Sequence, residues 1–217
     1  TVNYKKVYED LEDVLKDCER TDEEMVSMAF GILTEIDRKN RFVFLLRDLL
    51  KEIDASVIQW VIAAHIDNGK LSRGICYWFF SMGRDRLDCE FLDGHLEKIL
   101  SRGFLIFNTR GDREYMISRL GHIDCNVSVK LLRIILDGGF VDQFPAASEQ
   151  RSPELSLALP SQMRYKRSYQ AIAAAGLARL NDRASIPKIE GLYNKADPND
   201  FKTYEHALEY FNESGER

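Results

Sequence analysis

Four carboxylates lie close together in the segment GRDRLDCEFLDGH, residues 83–95. Such a cluster can hold a metal ion or supply an acid and a base for catalysis. The spacing fits no calcium-binding loop, and the apolar residues between the acids place them on the polar side of a helix. A solvated helix face is the simplest interpretation, and contact with a basic protein is the functional one. The four candidate contact residues are Asp85, Asp88, Glu90 and Asp93.

The remaining reactive residues do not form a catalytic pattern. Cys89 and His95 stand six residues apart, which is about 600° around a helix, so they do not share a face. There is no glycine-rich phosphate loop, no G-x-S-x-G and no H-E-x-x-H. Cysteines and histidines are scattered without metal-ligand spacing. We predict no catalytic residue, no metal and no cofactor, and interpret the cysteines as reduced thiols.

Acidic residues are concentrated near the amino-terminal end of the sequence. Residues 9–24 carry nine acids against two bases, and the whole chain has a formal charge of −5. Asp10, Asp13 and Asp17 follow helical spacings and form a second candidate site for a basic partner. The charge argues against nucleic acid, although RYKRSY (164–169) interleaves bases with tyrosines as some RNA-binding surfaces do.

Aromatic residues form a belt on two neighbouring predicted helices. Its members are Trp60, Tyr77, Trp78, Phe79 and Phe80. Most of this belt is expected in the core, but aromatic side chains are also the usual anchors of protein interfaces. We therefore add Trp60 and Trp78 to the candidate contact residues.

Helical spacing of apolar residues prevails along the chain and predicts an all-α fold. Thr21 and Glu24 match a capping box, Asp54 or Ser56 should cap the helix that ends near Asn68-Gly69, and Arg102-Gly103 should end a helix over 87–100. No apolar run reaches the roughly 18 residues of a membrane span, and no signal peptide is evident. We expect a cytoplasmic protein without a membrane partner.

Internal similarity predicts repeated helix pairs. HLEKILSRGFL (95–105) aligns with LLRIILDGGFV (131–141), and LGHIDCNVSVKLLRIIL (120–136) aligns with LARLNDRASIPKIEGLY (177–193). The first spacing, 36 residues, suits helix-pair repeats, with chance similarity between amphipathic helices as the alternative. The small residues Ala173, Ala174 and Gly176 should permit close packing against a neighbouring helix.

The phrase AAAGLARLNDRASIPKIEGLY (173–193) resembles a HEAT-type repeat, with a small-residue helix, an Asn-Asp turn and a second helix that opens with proline. Residues 120–139 are similar to half of an ankyrin repeat but lack its Thr-Pro-Leu-His signature. The resemblance implies an α-solenoid of stacked antiparallel helix pairs, HEAT-like first and ankyrin-like second. We predict one helical-repeat domain over 1–217, with a loop or sub-domain break at the proline-rich residues 140–162.

Either repeat family implies a binding scaffold without chemistry of its own. Small acidic helical-repeat proteins resemble immunity proteins that neutralise a bacterial toxin, and nuclease toxins are often basic. The leading hypothesis is an acidic immunity protein that binds such a toxin. The alternative is a HEAT-like enzyme or enzyme subunit that resembles a DNA glycosylase or a bilin lyase. The glycosylases need a basic channel and a catalytic acid, and this sequence offers only one short basic patch.

Overall fold

The computed structural model describes residues 21–35, 50, 53–81, 87–106, 109–139 and 159–213. Helix accounts for 81% of these residues, and none of them lies in a strand. The all-α prediction is confirmed. The helices are α1 (Asp22–Glu35), α2 (Ala55–Asp67), α3 (Arg73–Ser81), α4 (Cys89–Ile106), α5 (Arg110–Leu120), α6 (Asn126–Leu136), α7 (Leu159–Arg179), α8 (Ile186–Tyr193) and α9 (Pro198–Glu213).

The chain divides into two compact units, residues 1–91 and 92–217. None of the helices in the described ranges is long and apolar enough to cross a membrane. The break predicted at 140–162 lies outside the described residues, apart from its last four positions, which begin α7. Apolar spacing also predicts helices over 4–18 and 42–50, and apart from Leu50 these residues lie outside the described ones.

In the first unit, α1 packs against α2 and α3. Phe30 of α1 is fully buried and meets Trp78 of α3 edge-on, with ring centroids 5.3 Å apart. Two predicted caps are confirmed. The Thr21 hydroxyl accepts a hydrogen bond from the Glu24 N–H at 3.3 Å while Glu24 accepts from the Thr21 N–H at 3.0 Å. Asp54 accepts from the Ser56 N–H at 2.7 Å at the start of α2. These caps satisfy amide groups that the first helical turn leaves without a carbonyl.

In the second unit, α7 is the central helix and packs against α5, α6 and α9. Its small residues behave as predicted, because Ala173 and Ala174 are fully buried. A β-carbon added at Gly121, which follows α5, would lie only 2.4 Å from the Cα of Gly176. A β-carbon added at Gly176 would also lie 3.1 Å from Leu132 of α6. The absence of side chains therefore lets α7 approach α5 and α6 at one point.

The helix, turn and second helix predicted over 173–193 are confirmed. After α7, Asn181 takes a positive φ of 53°, a conformation that asparagine tolerates better than most residues. A short 3₁₀ turn at Arg183–Ser185 leads into α8, with Pro187 in its first turn. There the missing N–H of proline leaves no helical bond unmade.

The aligned segments 120–136 and 177–193 share a structural detail. The Ser185 hydroxyl donates to Asp182 at 2.6 Å, and at the equivalent positions Ser128 lies 3.2 Å from the Cys125 sulfur. Both serines are buried. Leu132 and Ile189, also equivalent, are fully buried. Both hydrogen bonds are local to the start of a helix, so the repeat relationship between the two segments stays a prediction.

The predicted stop at Arg102-Gly103 is wrong, because α4 continues to Ile106. Glycine in a helix costs about 1 kcal/mol relative to alanine. Gly103 is buried, and Leu100 and Phe104 of the same helix are fully buried. The burial of this part of α4 therefore outweighs the low helix propensity of the glycine.

Asp182 joins the turn after α7 to α6. It accepts from Arg133 Nε at 2.8 Å, from a second guanidinium nitrogen of the same arginine, and from Ser185. The Arg133 hydrogen bonds are the main reason that the pKa of the Asp182 carboxyl is lowered, and Ser185 adds to this, although partial burial opposes it. The two-pronged geometry is that of a strong carboxylate–guanidinium pair.

Gly121→Ala should destabilise the chain by about 1–3 kcal/mol, because the new methyl group would overlap the Gly176 backbone. The φ of Gly121 is −67°, so backbone conformation adds no strain. Urea unfolding measures the change. Gly191→Ala in exposed α8 is the control, because its β-carbon meets nothing within 4 Å; it should be neutral or stabilising by up to about 1 kcal/mol. Equal stabilities of the two variants would contradict the close approach.

Asp182→Asn should lower the free energy of unfolding at pH 7 by about 1 kcal/mol, a modest value because Arg133 is about half exposed. A carboxyl whose pKa is lower in the folded state than in the unfolded chain stabilises the fold fully at pH values above its unfolded pKa. That contribution is lost as the pH falls through the folded-state pKa. The difference from wild type should therefore shrink below about pH 3.8. Asp137→Asn, which breaks an exposed pair with Lys188, should change stability by less than about 0.5 kcal/mol. A pH-independent difference for Asp182→Asn would exclude the ion pair as its cause.

Candidate functional site

Among the residues of the first unit whose side chains the structure describes, Trp60 is the largest exposed apolar one, with 58% of its surface accessible. Its helix, α2, buries Ile58, Val61 and Ile62 on the opposite side. Trp60 is two residues from both Ile58 and Ile62, about 200° around the helix, so it must point away from the core. An indole in this position exposes apolar surface that burial in a partner would remove from water.

Two acids of the predicted cluster lie in the same unit as Trp60. The side chain of Gln59, the residue before Trp60, donates to Asp88 Oδ2 at 3.0 Å. Asp88 and Glu90 are both exposed. We call the surface formed by Gln59, Trp60, Asp88 and Glu90 the Trp60 surface.

Asp88 also caps α4. Its Oδ1 accepts the Phe91 N–H at 2.7 Å, and the carboxyl pKa is lowered mainly by this hydrogen bond and then by the one from Gln59. The carboxylate therefore stays ionised at neutral pH in a fixed orientation. The prediction placed Asp88 inside a helix over 87–100, whereas the helix begins at Cys89. Aspartate is a preferred residue at the N-cap of a helix. Its place immediately before Cys89 is therefore a capping signal, which the predicted helix over 87–100 did not take into account.

The other acidic candidates lie either in the second unit or outside the described residues. Asp93 belongs to the second unit, where its Oδ1 accepts the Val127 N–H at 3.4 Å in the first turn of α6. The remaining acids lie outside the residues that the structure describes: Asp10, Asp13, Asp17 and Asp85.

The prediction of Trp78 as a contact residue is corrected, because only 1% of its surface is exposed. The helix that carries it also buries Ile75, Phe79 and Phe80. A helix that is apolar on most sides is buried on most sides, so Trp78 belongs to the core. Of the two tryptophans, Trp60 alone can contact a partner in this conformation.

An open groove of about 640 Å³ in the second unit was not predicted. It runs along α6 from Asn126 to Asp137 and is bordered by residues 180–182. Its charged side chains include the pair Arg133–Asp182, and Asp137 at its end is paired with Lys188 at 2.8 Å. Two basic residues, Lys130 and Arg133, and two acidic ones, Asp137 and Asp182, line the groove, so its formal charges sum to zero.

Chemistry-bearing side chains are dispersed in the part of the chain that the structure describes. Within it, no three His, Cys, Asp or Glu residues are grouped so that they could hold a metal ion. Cys76 and Cys125 are buried and Cys89 is exposed, and none of these three is in a disulfide. His65 of α2 is partly buried, whereas His122 and His206 are exposed.

No protein-family model, no curated protein and no solved structure matches this chain. The HEAT-like resemblance and the immunity function therefore stay predictions. The Trp60 surface is the arrangement of described residues that best combines exposed apolar area with fixed charge.

Trp78→Ala should destabilise the chain by about 3–5 kcal/mol, because it removes a buried indole and leaves a cavity. Trp60→Ala should change stability by less than about 1 kcal/mol. Urea unfolding of the two variants, followed by circular dichroism, tests both values. If Trp60→Ala proved as destabilising as Trp78→Ala, Trp60 would be part of a core and unavailable to a partner.

Proposed function

We propose that this chain is a non-enzymatic protein-binding module that contacts a basic protein partner through the Trp60 surface. The observation that carries the proposal is the exposure of Trp60, 58%, beside carboxylates. Tryptophan is enriched among the residues that dominate binding energy at protein interfaces. A protein interface commonly combines such a large apolar anchor with a polar, charged rim.

The charges around Trp60 support a basic partner. Asp88 is held as a carboxylate by two hydrogen bonds, and Glu90 is exposed in the first turn of the same helix. Acidic groups at an interface steer a basic protein toward it and speed association at low salt. The formal charge of −5 acts in the same direction and disfavours nucleic acid as the partner.

The most concrete form of the proposal is an immunity protein that acts in the cytoplasm and neutralises a nuclease-type toxin. This form of the proposal rests on the HEAT-like helix pair α7–α8. It also takes the remaining helices as stacked antiparallel pairs of a solenoid. The matching hydrogen bonds of Ser128 and Ser185 accord with the repeat on which that arrangement depends. The buried thiols Cys76 and Cys125 suit a reducing compartment.

A partner captured from the source cell, or encoded by a neighbouring gene, allows a direct test by titration calorimetry. Trp60→Ala should weaken binding at least tenfold, about 1.4 kcal/mol. Glu90→Lys should lower affinity and reduce its salt dependence, because it removes negative charge without disturbing a cap. Asp88→Asn keeps a capping side chain while it removes the charge.

Tyr210→Ala is the matched control, because Tyr210 is also an exposed aromatic residue (46%) but lies on α9. It should bind as wild type does. If none of the Trp60-surface variants changes affinity by more than about fivefold, roughly 1 kcal/mol, the surface is wrong. Improved survival of cells that co-express a toxic partner would separate an immunity protein from a general scaffold.

A further inference from the structure

His65 occupies a contact between helices of the first unit. It lies in the last turn of α2, and its ring meets Phe30 of α1 edge-on, with centroids 5.9 Å apart. Phe30 in turn meets the buried Trp78 of α3. The ring of Phe30 therefore contacts both the imidazole and the buried indole of Trp78.

The surroundings of His65 suit a neutral ring. Its Nδ1 is buried and has no hydrogen-bond partner among the residues that the structure describes. Protonated imidazole carries N–H donors at both nitrogens, and a buried donor without an acceptor is costly. Burial and, next, the positive charge of Lys70 lower the pKa of His65, while a weaker contact with the Lys70 backbone opposes part of that shift.

Among the side chains that the structure describes on these three helices, no buried acid accompanies His65. On α1, the acids with described side chains are Asp22, Glu23 and Glu24, all exposed in the first turn, about two helical turns from Phe30. On α3, Cys76 is the titratable residue with a described side chain, and it is fully buried. On α2 itself, Asp67 is exposed beyond the ring.

We propose that His65 makes the packing of α1 against α2 and α3 sensitive to pH, so that α1 separates and Trp78 becomes hydrated when the imidazole gains a proton. A histidine whose folded-state pKa is lowered favours the folded state fully above its unfolded pKa, about 6.5, and less as the pH falls below it. This pH response requires no partner, so its test does not depend on whether the Trp60 surface binds one.

The test uses the full chain with Trp60→Phe, which leaves Trp78 as its single tryptophan. As the pH is lowered from about 7.5 to about 5, the range in which histidine titrates, Trp78 emission should move to longer wavelengths. The midpoint should coincide with the protonation of His65, followed by the NMR chemical shift of its ring protons. Far-UV circular dichroism should keep most of the helical signal, since α1 separates without unfolding of the second unit.

His65→Phe and His65→Gln in the same background should both abolish the shift. Phenylalanine keeps the aromatic contact with Phe30, and glutamine keeps a neutral polar group. His206→Gln, at an exposed position of α9, is the matched control and should behave as the parent. The proposal is overturned if Trp78 emission stays constant over this pH range, if the shift persists in both His65 variants, or if His65 titrates at or above about pH 6.5.

Discussion

The second unit depends on one backbone contact, between Gly121 and Gly176. Only residues without a β-carbon allow the end of α5 to lie this close to α7. From that point, α7 buries Ala173, Ala174 and Leu177 against its neighbours. With the helices so close, the Gln170 side chain reaches the Leu136 carbonyl at 2.7 Å and the Ser168 hydroxyl reaches Glu114 at 2.6 Å. The register of α5, α6 and α7 therefore follows from the two glycines.

Features governed by a few consecutive residues could be predicted from the sequence. The Thr21–Glu24 capping box, the Asp54 cap and the turn at Asn181 each depend on side chains within about four residues. The all-α class followed from apolar spacing for the same reason. The error at Gly103 has the opposite origin, because its burial depends on contacts that local propensity does not contain.

The candidate site was partly predictable. The outward position of Trp60 follows from its spacing to Ile58 and Ile62, whereas the burial of Trp78 accords with the nearly all-apolar run over 75–80 that carries it. The Arg133–Asp182 pair joins residues 49 positions apart. No periodicity in one sequence identifies which of its many arginines and aspartates meet at that distance. Such pairing is set by how α6 and α7 pack, which in turn depends on Gly121 and Gly176.

Acidic composition alone is a poor guide to the partner, because several of the carboxylates have a structural task. Asp88 caps α4, Asp93 contacts the amide of Val127, and Asp182 holds Arg133. A carboxylate fixed in this way still contributes to the field around the protein, but its hydrogen-bonding capacity is partly taken. In the proposed complex, specific recognition falls to groups without such a task, chiefly the exposed indole of Trp60, while the fixed charges act mainly on how fast a basic partner associates. The proposal therefore assigns the larger part of the affinity to an apolar anchor.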